Sequence, residues 1–496
     1  MRFVVSHQIA GKTRDAREEA RATLSAAEPR IAAFADVRNR REASARNTLI
    51  VEGDAQEFVA RATDLPADII VEPEVRRSPA VQAPFSRRPA GGAGAGAGAA
   101  IDFRLTSAGA PLANARVSLT LQNLYDGSAA SVGAVTDAAG LASAPFDPRL
   151  WTPIVAAIVP ASDAWPWLQP CTSALLAVDL PPLPRAGPLA WWHQSLGVQQ
   201  YSAARGQGIR VGVADTGAGP HPDLAHITRV GAFLLGSHDA AADLTADIEQ
   251  HGTHICGIIG ARPGAARGSF AGIAPGAELI AARVYAESPD GSATASNADI
   301  ANALDELSDV HECDIINLSL GGDDPSQIEA DALLSALERG SLVLCAAGNR
   351  IGAVTYPAAY PGAVAISAVG LIGTAPQGAL DWTTLPPQYD RYAAAGYYLA
   401  DFSDLVPQLA CTAPGVGIVS TVPGARPAYA AMNGTSMSTA VVSGALAALL
   451  SQDAAYRKLG RDIDRARHAW AVLVHQLRSL GLASVYQGYG MPMVTP

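Results

Sequence analysis

The chain has 496 residues, enough for about three domains, and its 49% hydrophobic and 16% charged residues describe a core-rich globular protein. This composition excludes a disordered or fibrous chain, and a net charge of −11 argues against sequence-independent nucleic-acid binding. The charge is uneven: residues 1–90 carry 15 Lys or Arg against 13 Asp or Glu, and the remainder 20 against 33, which marks the N-terminal stretch as a separate unit.

Residues 2–10 (RFVVSHQIA) read as a strand, followed by a helical stretch, DAREEARATLSA. Two strand-like runs (IAAFADVR and NTLIVEG), a helix (AQEFVARA) and a strand (DIIVEPEV) complete a β-α-β-β-α-β order over residues 1–80. That is the split βαβ pattern of small two-layer, ferredoxin-like domains. The N-terminus turns polar too early to hold the apolar region of a signal peptide, so a cytoplasmic location is favoured over export by another route. Residues 81–100 are rich in Arg, Pro, Gly and Ala without periodicity and predict a linker. The surrounding RRSPAVQAPFSRRPA is, by exposure, a candidate cleavage segment.

Residues 101–182 hold short strand candidates: IDFRLTS, ARVSLTLQ, AVTD, LASAPF, TPIVAAIVP and SALLAVDL. With DAAG as a hairpin signal, they predict a small β-sandwich, and PPLPRAGP (181–188) reads as a second stiff linker. From residue 183 a third unit follows. Continuous apolar runs (IRVGVAD, AELIAARVY, DIINLSL, SLVLCAAG, AVAISAVG) alternate with helical ones such as NADIANALDEL and QIEADALLSALE. This predicts an α/β unit, a parallel sheet covered by helices on both faces, with its chemistry at the carboxyl ends of the strands. No apolar run reaches 18 residues, so no membrane span is expected. Five scattered cysteines (Cys171, Cys256, Cys313, Cys345, Cys411) read as buried free thiols rather than a disulfide framework.

Four motifs fall at strand ends or helix starts of this unit. Asp215 lies in VADTG after an apolar strand, His251 opens HGTHICGIIG, and Ser436 lies in NGTSMSTAVVSGALAALL at the start of a long apolar helix. A serine hydroxyl needs a base within hydrogen-bond reach and a third group to orient that base. The chain order Asp, His, Ser matches a known triad order. Asn349, ending LCAAGN, can donate to the oxyanion of a tetrahedral intermediate, and the backbone N–H of Ser436 at a helix start can supply a second donor. Taken singly, each motif has another reading. A lone DTG could open an aspartic protease site, but no second DTG or DSG occurs to share the proton. His251 and His254 could ligate zinc, but no HExxH follows, and His254 reads as structural.

Residues 190–496 resemble the subtilisin-like serine proteases (subtilases). The resemblance rests on VGVADTGAGPHPDL, HGTHICGIIG, GIAPGAELIAARVY, DIINLSLGG, AAGN, YPAAYPGAVAISAVG, CTAPGVGIVST and NGTSMSTAVVSGALA. It implies a serine endopeptidase with Asp215, His251 and Ser436 as triad and Asn349 as oxyanion residue. It also implies that Leu318, Ser319, Leu320, Gly321 and Gly322 bind peptide as an added strand, and that Tyr356–Pro357 is cis. Ala346, Ala347, Gly348 and Thr355 would form the pocket beside the oxyanion residue, with Thr355 narrowing it and Arg350 favouring small or acidic groups. The N-terminal unit resembles the family's inhibitory prodomain, which implies a zymogen whose own tail lies through the active site. The 101–182 unit is similar to transthyretin-like or carboxypeptidase-regulatory-like modules.

The sequence departs from the family pattern in places. Ala440 and Val441 replace the usual Pro and His after the serine, and Gln250 replaces a common glycine before His251. ARPGAARGSFAG lacks Asn or Asp oxygens, and Asp223 has no evident companions, so neither a tight calcium site nor any other cofactor is expected. The expected partners are a peptide or protein substrate and the chain's own N-terminal unit. Two other physiological roles stay open: a dedicated processing protease for one partner, or a latent protease-like scaffold.

Overall fold

The computed structural model describes residues 1–494 apart from 42–45, 81–97, 241–245, 265–267, 288–291 and 406–408. Most of the segment expected as a linker, residues 81–100, therefore lies outside the described residues. In the N-terminal unit, strand alternation sorts side chains to two faces. Four antiparallel strands lie in the order Asp36–Arg41, Thr48–Glu52, Arg2–His7, Ile69–Pro73. Phe3, Val5, Leu49 and Val51 face helices Arg14–Ala32 and Ala55–Ala62, where they meet Leu24, Ile31 and Phe58. Val4, Ile50 and Ile70 point the other way and share a core with the third unit. Thr13 and Asp54 cap the two helices with their side-chain oxygens. The IAAFADVR segment is only partly a strand. The first helix runs through Pro29 to Ala32, because Leu24, Ala27 and Ile31 form one buried stripe whose burial outweighs the missing proline N–H.

The second unit is two four-stranded sheets around a shared core that includes Phe103, Leu105, Leu119, Leu121, Ile158 and Leu176. DAAG does not close a hairpin. The strands on either side of it, Ala129–Val135 and Leu141–Phe146, belong to different sheets, so the turn carries the chain from one layer to the other. Gly140 holds φ +75°, and a Cβ there would lie 2.3 Å from the Leu105 carbonyl oxygen, so the turn seats tightly on the neighbouring strand. Residues 181–188 are not a free linker either. Leu183 is buried with Trp165 and Phe270, and the Trp165 N–H donates to the Pro181 carbonyl at 2.9 Å. The sandwich rests on the third unit through Asp163 N–H to Tyr429 and Leu168 N–H to Gly378.

The third unit is a nine-stranded sheet, mostly parallel, with Arg210–Asp215 between Glu278–Arg283 and Ile315–Leu318. Leu342–Ala346 and Val364–Leu371 continue it beyond Ile315–Leu318. Alternate strand residues serve opposite faces: Val211, Val213, Ile315 and Leu344 pack with helices His251–Gly260 and Thr435–Gln452. Ala214, Ile316, Val343 and Cys345 pack with helices Asn297–Asp305 and Gln327–Glu338. Ala440 and Val441 are core residues of the first layer, which accounts for their apolar character. Among the described residues no helix is long and apolar enough to cross a membrane.

The charge split seen in the sequence has a structural counterpart where the N-terminal unit meets the helices Asn297–Asp305 and Gln327–Glu338. Arg46, wholly buried, reaches Asp305 and Asp331, each at 2.7 Å, and Arg41 reaches Glu306 at 3.3 Å. Burial works against ionisation of Asp305, but Arg46 and Arg339 outweigh it and hold the carboxyl below its ordinary range. Glu72 accepts the Gln327 N–H at 2.6 Å, at the positive end of a helix. Breaking one partner from a buried pair of this kind costs about 3–5 kcal/mol.

Candidate active site

Strand ends and helix starts converge at the carboxyl edge of the sheet. Asp215 closes its strand, His251 opens helix His251–Gly260, Ser436 is the second residue of helix Thr435–Gln452, and Asn349 follows strand Leu342–Ala346. His251 Nδ1 donates to Asp215 Oδ1 at 2.6 Å, and the same oxygen accepts the Thr216 N–H at 2.7 Å. An ionised carboxylate only accepts, so Nδ1 carries the proton and Nε2 presents its lone pair. Nε2 has no hydrogen-bond partner among the described residues. Burial pushes the imidazole towards neutrality, but the charge and hydrogen bond of Asp215 outweigh it and raise the pKa above the ordinary histidine value.

What holds the His251 helix start was not legible as a motif. Gln250, just before it, makes no side-chain cap and adopts φ +67°, a conformation that suits the glycine expected there. The capping falls to Asp247, whose Oδ2 accepts from Thr253 N and Oγ1 at 2.8 and 2.5 Å. Its Oδ1 accepts from Thr216 Oγ1 at 2.8 Å, and that hydroxyl accepts the Gly252 N–H at 2.8 Å. An acid within one turn of an uncapped helix start is the signal that would have found it. Gly252 is required for space: a Cβ there would sit 2.0 Å from the Gly217 carbonyl oxygen.

Asn349 Oδ1 accepts the N–H and hydroxyl of Thr435 at 3.0 and 2.9 Å, which fixes the amide and leaves Nδ2 a buried donor without a partner among the described residues. The Ser436 hydroxyl donates to the Ser319 carbonyl at 3.1 Å and makes no hydrogen bond to His251. The Ser436 N–H donates at 3.2 Å to the carbonyl of Ala80, the last described residue of the N-terminal unit's tail. The Ser436 side chain is thus turned aside from His251.

The tail strand Arg76–Pro79 lies antiparallel between Ala293–Ser296 and Leu320–Gly321, pairing Leu320 with Pro79 and Gly321 with Ser78. The Ala80 N–H donates to the Ser319 carbonyl at 3.1 Å. Of the five residues expected to bind peptide, Ser319, Leu320 and Gly321 meet the tail through their backbones. Leu318 instead pairs inside the central sheet with Ala214 and Cys345, and the Gly322 backbone is taken by Tyr356. Ala347 closes on Thr355, whose N–H and hydroxyl both donate to its carbonyl, and the Gly348 N–H donates to Thr435 Oγ1. Thr355 lies against Gly321: a Cβ there would sit 2.3 Å from its Oγ1. Arg350 is no free charge there, because its guanidinium pairs with Asp323. His254 places Nε2 against the carbonyls of Ile418 and Ala430, and burial drops its pKa to about 3, so the ring is neutral. Tyr356–Pro357 is cis.

The sequence profile of the subtilase family matches residues 206–491. Subtilisin Savinase of Lederbergia lenta is 37% identical over 248 residues, covering 50% of this chain and 77% of Savinase. An alkaline protease of Alkalihalobacillus alcalophilus is also 37% identical over 248 residues, but the match spans only 55% of its length. The major intracellular serine protease of Bacillus subtilis (strain 168) is 30% identical over 303 residues, 59% of this chain and 82% of that protein.

The raised His251 pKa can be read directly in the Ser436→Ala protein. NMR titration is expected to put the His251 ring above about 6.5, and Asp215→Asn is expected to lower it. A value unmoved by Asp215→Asn would contradict the assigned cause.

Proposed function

The chain belongs to the subtilase family of serine endopeptidases, and on that premise we propose that Asp215, His251 and Ser436 are its triad. Turning the Ser436 hydroxyl from Ser319 towards His251 Nε2 aligns nucleophile and base. Ser436 Oγ then attacks the substrate carbonyl carbon and its proton passes to Nε2, while Asp215 holds the tautomer and stabilises the imidazolium. Asn349 Nδ2 and the Ser436 N–H receive the oxyanion. Loss of such an amide donor costs about 10²–10³ in kcat, a figure known from subtilisin itself. Collapse of the intermediate breaks the C–N bond, and the Nε2 proton leaves with the amine. Water, deprotonated by the same nitrogen, then hydrolyses the acyl-enzyme.

The observation that carries this reading is the Ala80 carbonyl accepting the Ser436 N–H, the position a product carboxyl group would occupy. It supports a further reading: the protein is a zymogen, residues 1–80 are an inhibitory prodomain, and the bond cut is Ala80–Val81. The sheet order of the N-terminal unit and the strand pairing of its tail agree with a ferredoxin-like prodomain held as a product-like inhibitor. The sandwich of residues 101–182 then travels with the catalytic unit as a spacer. No tight calcium site is proposed at 261–272, since both Asp223 oxygens already accept protein donors, the Gly264 N–H at 3.1 Å and the Tyr429 hydroxyl at 2.6 Å. Residues 265–267 of that loop lie outside the described residues.

Two outcomes check these readings. Intact mass is expected to show wild type cut after Ala80 and Ser436→Ala whole, and identical cutting in both would rule out self-processing by Ser436. Chelation is expected to leave the melting temperature unchanged, and a large calcium-dependent rise that mutation of 261–272 abolishes would contradict the absence of a tight site.

A further inference from the structure

The tail strand carries two adjacent arginines with opposite fates. Arg76 is half exposed and pairs with Glu74 of its own unit and Thr294. Arg77 points the other way, as strand alternation requires, onto Glu329 of helix Gln327–Glu338 in the catalytic unit, whose first turn also holds Glu72 of the N-terminal unit. Its Nε and Nη2 donate to Glu329 Oε1 and Oε2 at 3.0 and 2.7 Å, and both side chains are 0% exposed. Two parallel bonds from a planar fork to one carboxylate form the arrangement arginine makes and lysine cannot. The Tyr360 hydroxyl donates to Glu329 Oε2 at 3.3 Å and accepts the Ser326 N–H, which fixes the carboxylate from behind. Gly322 leaves the entrance clear: a Cβ there would lie 2.8 Å from Arg77 Nη1.

We propose that Glu329 is a specificity-determining residue that makes this protease select arginine at the fourth residue before the cut bond. The inference rests on the protease reading above and names its substrate class. Counting back from the bond after Ala80, the residues are Ala80, Pro79, Ser78 and Arg77. The register that delivers Arg77 to Glu329 comes from backbone pairing with Ala295, Leu320 and Gly321, which any extended peptide can reproduce. A substrate lacking arginine leaves Glu329 buried without a cation, so the pocket penalises other residues as well as rewarding this one. The preferred substrates are therefore extended segments with arginine followed, two residues later, by the residue preceding the cut residue, as in Arg-Ser-Pro-Ala.

Peptide anilides test this with the full-length chain as it is isolated, once digestion of unfolded casein has shown the site to be open. Arg-Ser-Pro-Ala-anilide is expected to be cut with kcat/KM about 100-fold above its Leu and citrulline counterparts, with Lys between. Glu329→Leu is expected to reverse the Arg and Leu order, so that the Leu peptide is cut faster than the Arg peptide. Because the substrate swap leaves the enzyme untouched, it decides the matter even if Glu329→Leu does not fold. Casein digestion with Leu or citrulline cut as well as Arg, or with none of the peptides cut, overturns the specificity alone. Failure to digest casein, with the chain also left uncut after Ala80, overturns the protease reading and this inference with it.

Discussion

The 2.6 Å hydrogen bond between Asp215 and His251 joins a strand end to a helix start 36 residues later, and the chemistry of the site requires both ends to be held there. The strand end is held by the sheet, since Arg210–Asp215 has a parallel neighbour on each side. The helix start is held by Asp247 and Thr216, which satisfy donors that would otherwise be orphaned. With Nδ1 committed to Asp215, only Nε2 is left to act as base. Asn349 follows the same logic: its carbonyl end is tied to Thr435, and its Nδ2 has no partner among the described residues, which suits the oxyanion role proposed for it.

The N-terminal unit meets this site through charge and register. Arg41, Arg46 and Arg77 each find an acid on the helices Asn297–Asp305 and Gln327–Glu338 or just beyond them, so the near-neutral first 90 residues are complementary to the acidic remainder. These pairs fix the unit's position, and the tail strand then carries Ala80 to Ser436 by backbone pairing. Docking and occupation of the cleft are thus one continuous interface. A peptide arriving from outside would have to reproduce only the strand part of it.

Much of the third unit could be read from its sequence because strands buried on both faces are continuous apolar runs, and the helix Gln327–Glu338 follows its periodic segment closely. The site motifs were legible because they sit where strands and helices must begin or end. Errors arose where distant packing decides. The DAAG turn looks like a hairpin locally, and only the second sheet above it makes it a crossover. IAAFADVR lost its first residues to a helix whose buried stripe is visible only against the sheet. Leu318 adjoins the residues that pair with the tail but spends its backbone on the central sheet. Glu329 carries no motif at all, because its partner lies 252 residues away.

The central claim is that Ser436 is a nucleophile activated by His251. Labelling with a fluorophosphonate, followed by peptide mapping, tests it most directly because the probe reports the activated hydroxyl without needing a substrate. The account predicts modification of Ser436 in the wild-type chain and its loss in His251→Ala. Labelling at another residue, or equal labelling of Ser436 without His251, would contradict it.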